Sequence, residues 1–139
     1  MDKKNVLKVF DLMCSPAKPL AWLSTIGKDG TPHLAPVCFV KSLDAEKIII
    51  GNVFIKQSEA NIKMNPIVSI GVSFKNESGW DGWMVKGEAK IARAGENFES
   101  LQAEVQNISG GKRRIKSAII VNVGKGYSLK PNEGKKRVF

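Results

Sequence analysis

The stretch on which the fold turns runs Leu20-Ala21-Trp22-Leu23-Ser24-Thr25-Ile26, then Gly27-Lys28-Asp29-Gly30-Thr31-Pro32, then His33-Leu34-Ala35-Pro36-Val37-Cys38-Phe39-Val40-Lys41. β-branched and aromatic residues fill the first run, and the third resumes the same character after a turn. The Asp29-Gly30 step supplies the positive-φ chemistry that tight hairpins need, so the two runs pair as antiparallel strands.

Working outward, Leu43 to Glu46 makes a second turn, and Lys47 to Gly51 carries Ile48-Ile49-Ile50, too short for a helix and suited to a buried strand. Lys56 to Asn65 reads as a short helix with a Glu59/Lys63 pair at i,i+4, stopped by Pro66. Ile67 to Phe74 alternates as a fourth strand, Lys75 to Asp81 reads as a polar loop, and Trp83 to Ile91 alternates apolar with polar as a fifth. Phe98, Leu101 and Val105 line one side of a helix from about Glu96 to Gln106, ended by Ser109-Gly110-Gly111. Ser117 to Val123 is a sixth strand, open to continuation through Gly126 to Leu129. Before the hairpin, Val6, Val9, Phe10 and Met13 recur at helical spacing over residues 4 to 14.

Six short strands, three helices and tight hairpins, with no βαβ rhythm, predict a mainly β (α+β) domain. Its form is a six-stranded antiparallel Greek-key or split β-barrel with short flanking helices, because closure removes exposed sheet edges. Residues 1–129 form that domain. Residues 130–139, where Lys130, Lys135, Lys136 and Arg137 face only Glu133, are expected to be a frayed basic tail.

The chain has 139 residues, enough to bury one core without staples, and its 42% hydrophobic and 25% charged residues exclude disordered and fibrous classes. A net charge of +9 attracts anions: nucleic acid, an anionic surface or a phosphorylated small molecule. Cys14 and Cys38 lack CxxC spacing and read as buried thiols, not as a disulfide or a metal pair. No apolar leader follows the N-terminal Met1-Asp2-Lys3-Lys4, and no apolar run nears the roughly 20 residues that cross a bilayer, so the expected location is the cytoplasm.

Much chemistry is missing. The single histidine, His33, rules out multi-histidine metal sites, and its place beside a hairpin turn needs no function. No GxGxxG or GxxxxGK[ST] loop follows a strand and opens a helix, and Glu77 and Asp81 simply solvate their loop. No catalytic residue and no metal site is signalled. What remains is Lys56-Gln57-Ser58-Glu59-Ala60-Asn61 at a helix start, where free backbone N–H groups, a cation and two neutral donors would suit a phosphate monoester. Ser58 as a cap and Lys56 as a solvated side chain are the competing readings.

The order of these segments resembles the FMN-binding split barrels of the pyridoxamine 5′-phosphate oxidase-like superfamily. The resemblance rests on Leu23 to Phe39, Ile48 to Gly51, Lys56 to Asn61 followed by Asn65-Pro66, Val68 to Val72 and Val85-Lys86-Gly87-Glu88-Ala89, and it covers about residues 5 to 129. It is nearest to the small FMN-binding and flavin-reductase-like members. It implies FMN as cofactor, with Lys56, Gln57, Ser58 and Asn61 at the phosphate and Pro36, Val37, Cys38 and Phe39 along the isoalloxazine. Ile49, Ile50 and Gly51 would line the ribityl chain and ring. Gln57 stands where that subgroup tends to have a cation, which shifts the cationic role to Lys56. The resemblance further implies a homodimer whose second chain covers the ring. Trp83 and Arg114, within Lys112-Arg113-Arg114-Ile115-Lys116, are the candidates for that contribution; plain core for Trp83 and a solvated face for the basic run stay open.

The chain lacks any histidine after position 100, where true pyridoxamine phosphate oxidases carry a substrate-binding Arg and His, so that activity is not expected. The expectation is a flavin-dependent oxidoreductase or electron carrier fed by a nicotinamide or another reduced donor. Competing readings are a basic nucleic-acid-binding barrel, which the sparse aromatics argue against, and the same barrel holding deazaflavin or heme.

Overall fold

The computed structural model describes residues 1–133 and 136–139. Seven strands, not six, form one sheet: β1 (Ala21–Ile26), β2 (Pro32–Val37), β3 (Val40–Ser42), β4 (Lys47–Asn52), β5 (Ile67–Asn76), β6 (Gly79–Ala92) and β7 (Ser117–Ser128). Three helices accompany them, α1 (Lys3–Lys8), α2 (Lys56–Met64) and α3 (Glu96–Ile108), with a short 3-10 turn at Pro131–Glu133.

The extra strand arises because the run expected from His33 to Lys41 is broken at Cys38-Phe39. Across the sheet the order is β2-β1-β5-β6-β7-β4-β3, every neighbouring pair antiparallel. The two edge strands, β2 and β3, are therefore consecutive in the chain, with only Cys38 and Phe39 between them. Three peptide steps span at most about 11 Å, so the sheet must curl until its edges nearly meet. The result is a split barrel, open along the seam that Cys38 and Phe39 cross.

The polar segment 75–81 is not a loop either. β5 and β6 pair out to Asn76↔Gly79, so two strands project into solvent and are polar for that reason. Where β6 crosses to β7, the register slips between Lys86 and Gly87. At Gly87 a Cβ would lie 2.1 Å from the Asn122 carbonyl oxygen, so only glycine lets the two backbones approach this closely.

The barrel interior holds Leu23, Val40, Ile48, Ile50, Ile70, Val85, Ile119 and Val121, closed at one side by Val6, Leu7 and Phe10. Ile49 faces the opposite side of the same strand, where Leu101 and Val105 of α3 cover it. This double burial explains the unbroken Ile48-Ile49-Ile50 run. Trp83, partly exposed, extends the row Val37, Ala21, Val72 and Ser128 and packs on the interior cluster.

α1 is shorter than residues 4 to 14. After Lys8 the chain lies beside β3, where the Leu12 and Met13 N–H groups donate to the Val40 carbonyl and Cys14 N–H donates to Cys38 at 2.8 Å. Nor are residues 136–139 frayed. Val138 N–H donates to Gly126 at 2.8 Å, Tyr127 bridges Arg137, and Phe139 packs on the core; residues 134–135 lie outside the described residues. No helix among the described residues is long and apolar enough to cross a membrane.

Candidate functional site

The chain from Gly51 to Lys56 runs between two hollows. On one side lies an apolar groove of about 450 Å³, walled by Pro36, Val37, Cys38 and Phe39 at the barrel seam and by Gly51, Val53, Phe54 and Ile55 opposite. The C-terminal end of α3 closes it with Ile108 and Ser109, and Lys112 and Arg113 add cations. Gly51 keeps its strand tight against the seam: a Cβ there would meet Ile115 at 2.8 Å and Phe39 at 3.3 Å.

The seam is also where the sheet's hydrogen bonding is incomplete. The Cys38 carbonyl accepts from Cys14 and the Phe39 carbonyl accepts from Gly51, each at 2.8 Å. Among the described residues the Cys38 and Phe39 N–H groups have no hydrogen-bond partner. Both residues are partly exposed, so these two donors beside an apolar groove suit a planar ligand with acceptors on its edge.

The basic run 112–116 is fastened in place. The Gln102 amide clamps both backbone groups of Ile115, donating to its carbonyl at 3.1 Å and accepting from its N–H at 2.9 Å. Arg113 N–H donates to Ser109 Oγ at 3.0 Å, and Lys116 N–H to the Asn52 carbonyl at 2.7 Å. This clamping sends Arg113 to the groove, its guanidinium 5.1 Å from the exposed Phe54 ring, and Lys116 to the hollow on the other side.

That second hollow, of about 710 Å³, gathers Lys56, Lys63, Arg93 and Lys116 around the carboxylate of Glu59. Glu59 is 8% exposed; it pairs with Arg93 and, at 3.6 Å, Lys63, and accepts from Asn52 and from the Ser117 hydroxyl. α2 starts at this point with Ile55 as its N-cap and no side chain capping it, so its first-turn N–H groups remain available to an anion. Four cations against one carboxylate leave the hollow positive.

A sequence profile of the pyridoxamine 5′-phosphate oxidase family matches residues 14–125, four-fifths of the chain. The chain belongs to that family. An uncharacterised protein of Methanocaldococcus jannaschii is 28% identical over 120 residues, covering 84% of this chain and 78% of its own. Among solved structures, an FMN-binding protein from Syntrophomonas wolfei superposes with a TM-score of 0.78 at 18% identity, covering 92% of this chain and 88% of that one. HupZ of Group A Streptococcus superposes at 0.72 with 20% identity, covering 94% and 96%. At those identities the two structures establish the fold.

Within this pyridoxamine 5′-phosphate oxidase fold, the residues singled out from the sequence divide. Pro36, Val37, Cys38, Phe39 and Gly51 meet at the groove, and Lys56 lines the cationic hollow. Ile49 and Ile50 are fully buried in the two cores and line neither. Ser58 is 0% exposed, its hydroxyl buried without a hydrogen-bond partner, and it lines neither hollow, so the fold does not bring it to the site. Asn61 is a structural link: it donates to Thr25 Oγ1 at 3.0 Å and accepts from Gln57 at 2.8 Å, tying α2 to β1. Arg114 points to the Gln106 amide at 3.3 Å; its neighbours Lys112 and Arg113 line the groove instead, within the same chain. His33 borders a separate hollow beside Gln57 and Asn61.

Cys14 and Cys38 are not buried thiols. They form a disulfide, with Cα atoms 4.5 Å apart, and both line the groove. The sequence reading missed this pair because the two cysteines stand twenty-four positions apart, and only the path of residues 9–15 along β3 unites them. It also missed Val53, Phe54 and Ile55. The apolar character of those three immediately before a charged helix start was the available signal.

Proposed function

We propose that the chain is an FMN-binding flavoprotein that works as a homodimer in electron or hydride transfer. The observation that carries this reading is the groove of about 450 Å³: apolar walls, two unpartnered N–H groups at the seam, and Lys112 and Arg113 as cations in its lining. FMN supplies two-electron chemistry when bound, and the protein's part is to hold it and to tune its polar edge.

The residues present fit that group, with one revision. Pro36 to Phe39 would hold the ring, with the Cys38 and Phe39 N–H groups as donors to its acceptor edge and Lys112 and Arg113 beside it. Lys56 and the uncapped first turn of α2, where the chain passes from the groove to the cationic hollow that Arg93 and Lys116 line, would hold the phosphate; the Ser58 hydroxyl takes no part. The groove faces solvent, and Phe54, 75% exposed at its rim, is the surface a second copy would cover.

The test is a fluorescence titration of FMN and, separately, riboflavin with the purified protein. Saturable quenching with one FMN per chain, tighter than riboflavin, is expected. Unquenched FMN at high micromolar protein would overturn the reading. Steeply salt-dependent binding of an oligonucleotide in its place would favour the nucleic-acid alternative.

A further inference from the structure

We propose that the Cys14–Cys38 disulfide is a second redox centre, which accepts two electrons from the reduced flavin held in the groove that both cysteines line. The proposal rests on the FMN reading above. Cys38 sits between Val37 and Phe39 in the wall against which the ring is laid, and Cys14 lines the same groove. Both residues are partly exposed, so the sulfurs border the ligand space and are not sealed in the core. They are the chain's only cysteines, so no third thiol competes for the exchange.

The backbone is built to hold the pair in either redox state. Cys14 N–H donates to the Cys38 carbonyl at 2.8 Å, and Leu12 and Met13 N–H both donate to Val40, so opening the S–S bond leaves the two segments side by side. Met13 and Cys14 stand at φ of 40° and 54°, a left-handed pair that non-glycine residues adopt only where the surroundings impose it. That conformation turns Cys14 toward the seam. A disulfide serving purely as a staple needs neither groove exposure nor this local backbone cost.

Opening the Cys14–Cys38 bond to two thiols takes two electrons and two protons. Bound FMN would supply the electrons after accepting a hydride from a reduced nicotinamide donor, one proton arriving with that hydride and the second from solvent, and it would end in its oxidised form. The two thiols can then reduce a disulfide or another two-electron acceptor that enters the groove.

The experiment photoreduces FMN, bound at one per chain, under anaerobic conditions with a sacrificial amine donor, then alkylates and weighs the protein. Two alkyl groups per chain are expected, with four electrons consumed before the flavin stays bleached. The Cys14→Ser/Cys38→Ser double variant, saturated with FMN, should bleach after two electrons and take up no alkyl group. Apo protein under the same light should remain unalkylated. If FMN binds and bleaches after two electrons with no alkylated cysteine, the redox-centre proposal falls while the FMN reading stands. If FMN does not bind, both fall.

Discussion

The Glu59 carboxylate accepts a hydrogen bond from the Ser117 hydroxyl at 2.8 Å, joining residues 58 positions apart. Asn52 donates to the same carboxylate and lies 3.1 Å from the Ser117 hydroxyl, while Arg93 and Lys63 meet its other oxygen. One side chain thereby locks α2 to β4, β7 and the end of β6, beside the cationic hollow. Glu59→Ala strips the partner from several buried donors and is expected to cost about 2–3 kcal/mol, roughly 8–10 °C in melting temperature. Glu59→Gln, which keeps one acceptor oxygen, should cost about half as much. Thermal unfolding followed by circular dichroism checks both.

The division of labour among the cations is testable with two ligands. Lys56→Ala is expected to weaken FMN about tenfold, equivalent to about 1.4 kcal/mol for one charge-assisted contact, and to leave riboflavin unchanged. Arg113→Ala, which removes a side chain stacked on Phe54 in the ring groove, should weaken FMN and riboflavin alike. Equal losses for both ligands in Lys56→Ala would move the phosphate elsewhere. The measurement is the ratio of the two dissociation constants for each variant.

Two glycines, on β5 and β6, should differ in their response to alanine. Gly87 has the Asn122 carbonyl 2.1 Å from where a Cβ would sit, so Gly87→Ala must push β6 from β7 and is expected to cost about 1–3 kcal/mol. At Gly71 the nearest such atom, the Trp83 carbonyl, is 4.0 Å away, and Gly71→Ala should change stability by less than about 0.5 kcal/mol. Urea unfolding midpoints distinguish the two.

Covering of the groove by a second copy predicts a dimer in sedimentation equilibrium. Phe54→Glu, placing a charge at the rim, should shift the dimer toward monomer and weaken FMN by an order of magnitude or more. A wild-type monomer that binds FMN tightly would remove the second chain from the site.

The barrel was legible in the sequence because its signals are local: the Asp29-Gly30 turn, the alternation along Trp83 to Ile91, and the Ile48-Ile49-Ile50 run each report a strand without reference to the rest. The seam was not. Nothing in Pro36-Val37-Cys38-Phe39-Val40 distinguishes one continuous strand from two strands on opposite sheet edges, since the break reflects curling of the whole sheet. Residue identity likewise could not separate Ser58, turned into the interior, from Lys56, turned out, because helix phase depends on where Ile55 ends the strand-to-helix turn. Arg113 and Arg114 are identical in type; the Gln102 clamp on Ile115 sets which of them meets the groove.

The claim on which the functional account depends is that a flavin lies along the barrel seam. Titrating FMN into ¹⁵N-labelled protein and following the backbone amide resonances tests it directly. The Cys38 and Phe39 amides should move most, downfield as they gain an acceptor, with Gly51 and Phe54 following and saturation at one FMN per chain. Perturbations confined to the outer sheet around Trp22 and Met84, or a seam that stays silent while FMN binds, would contradict it.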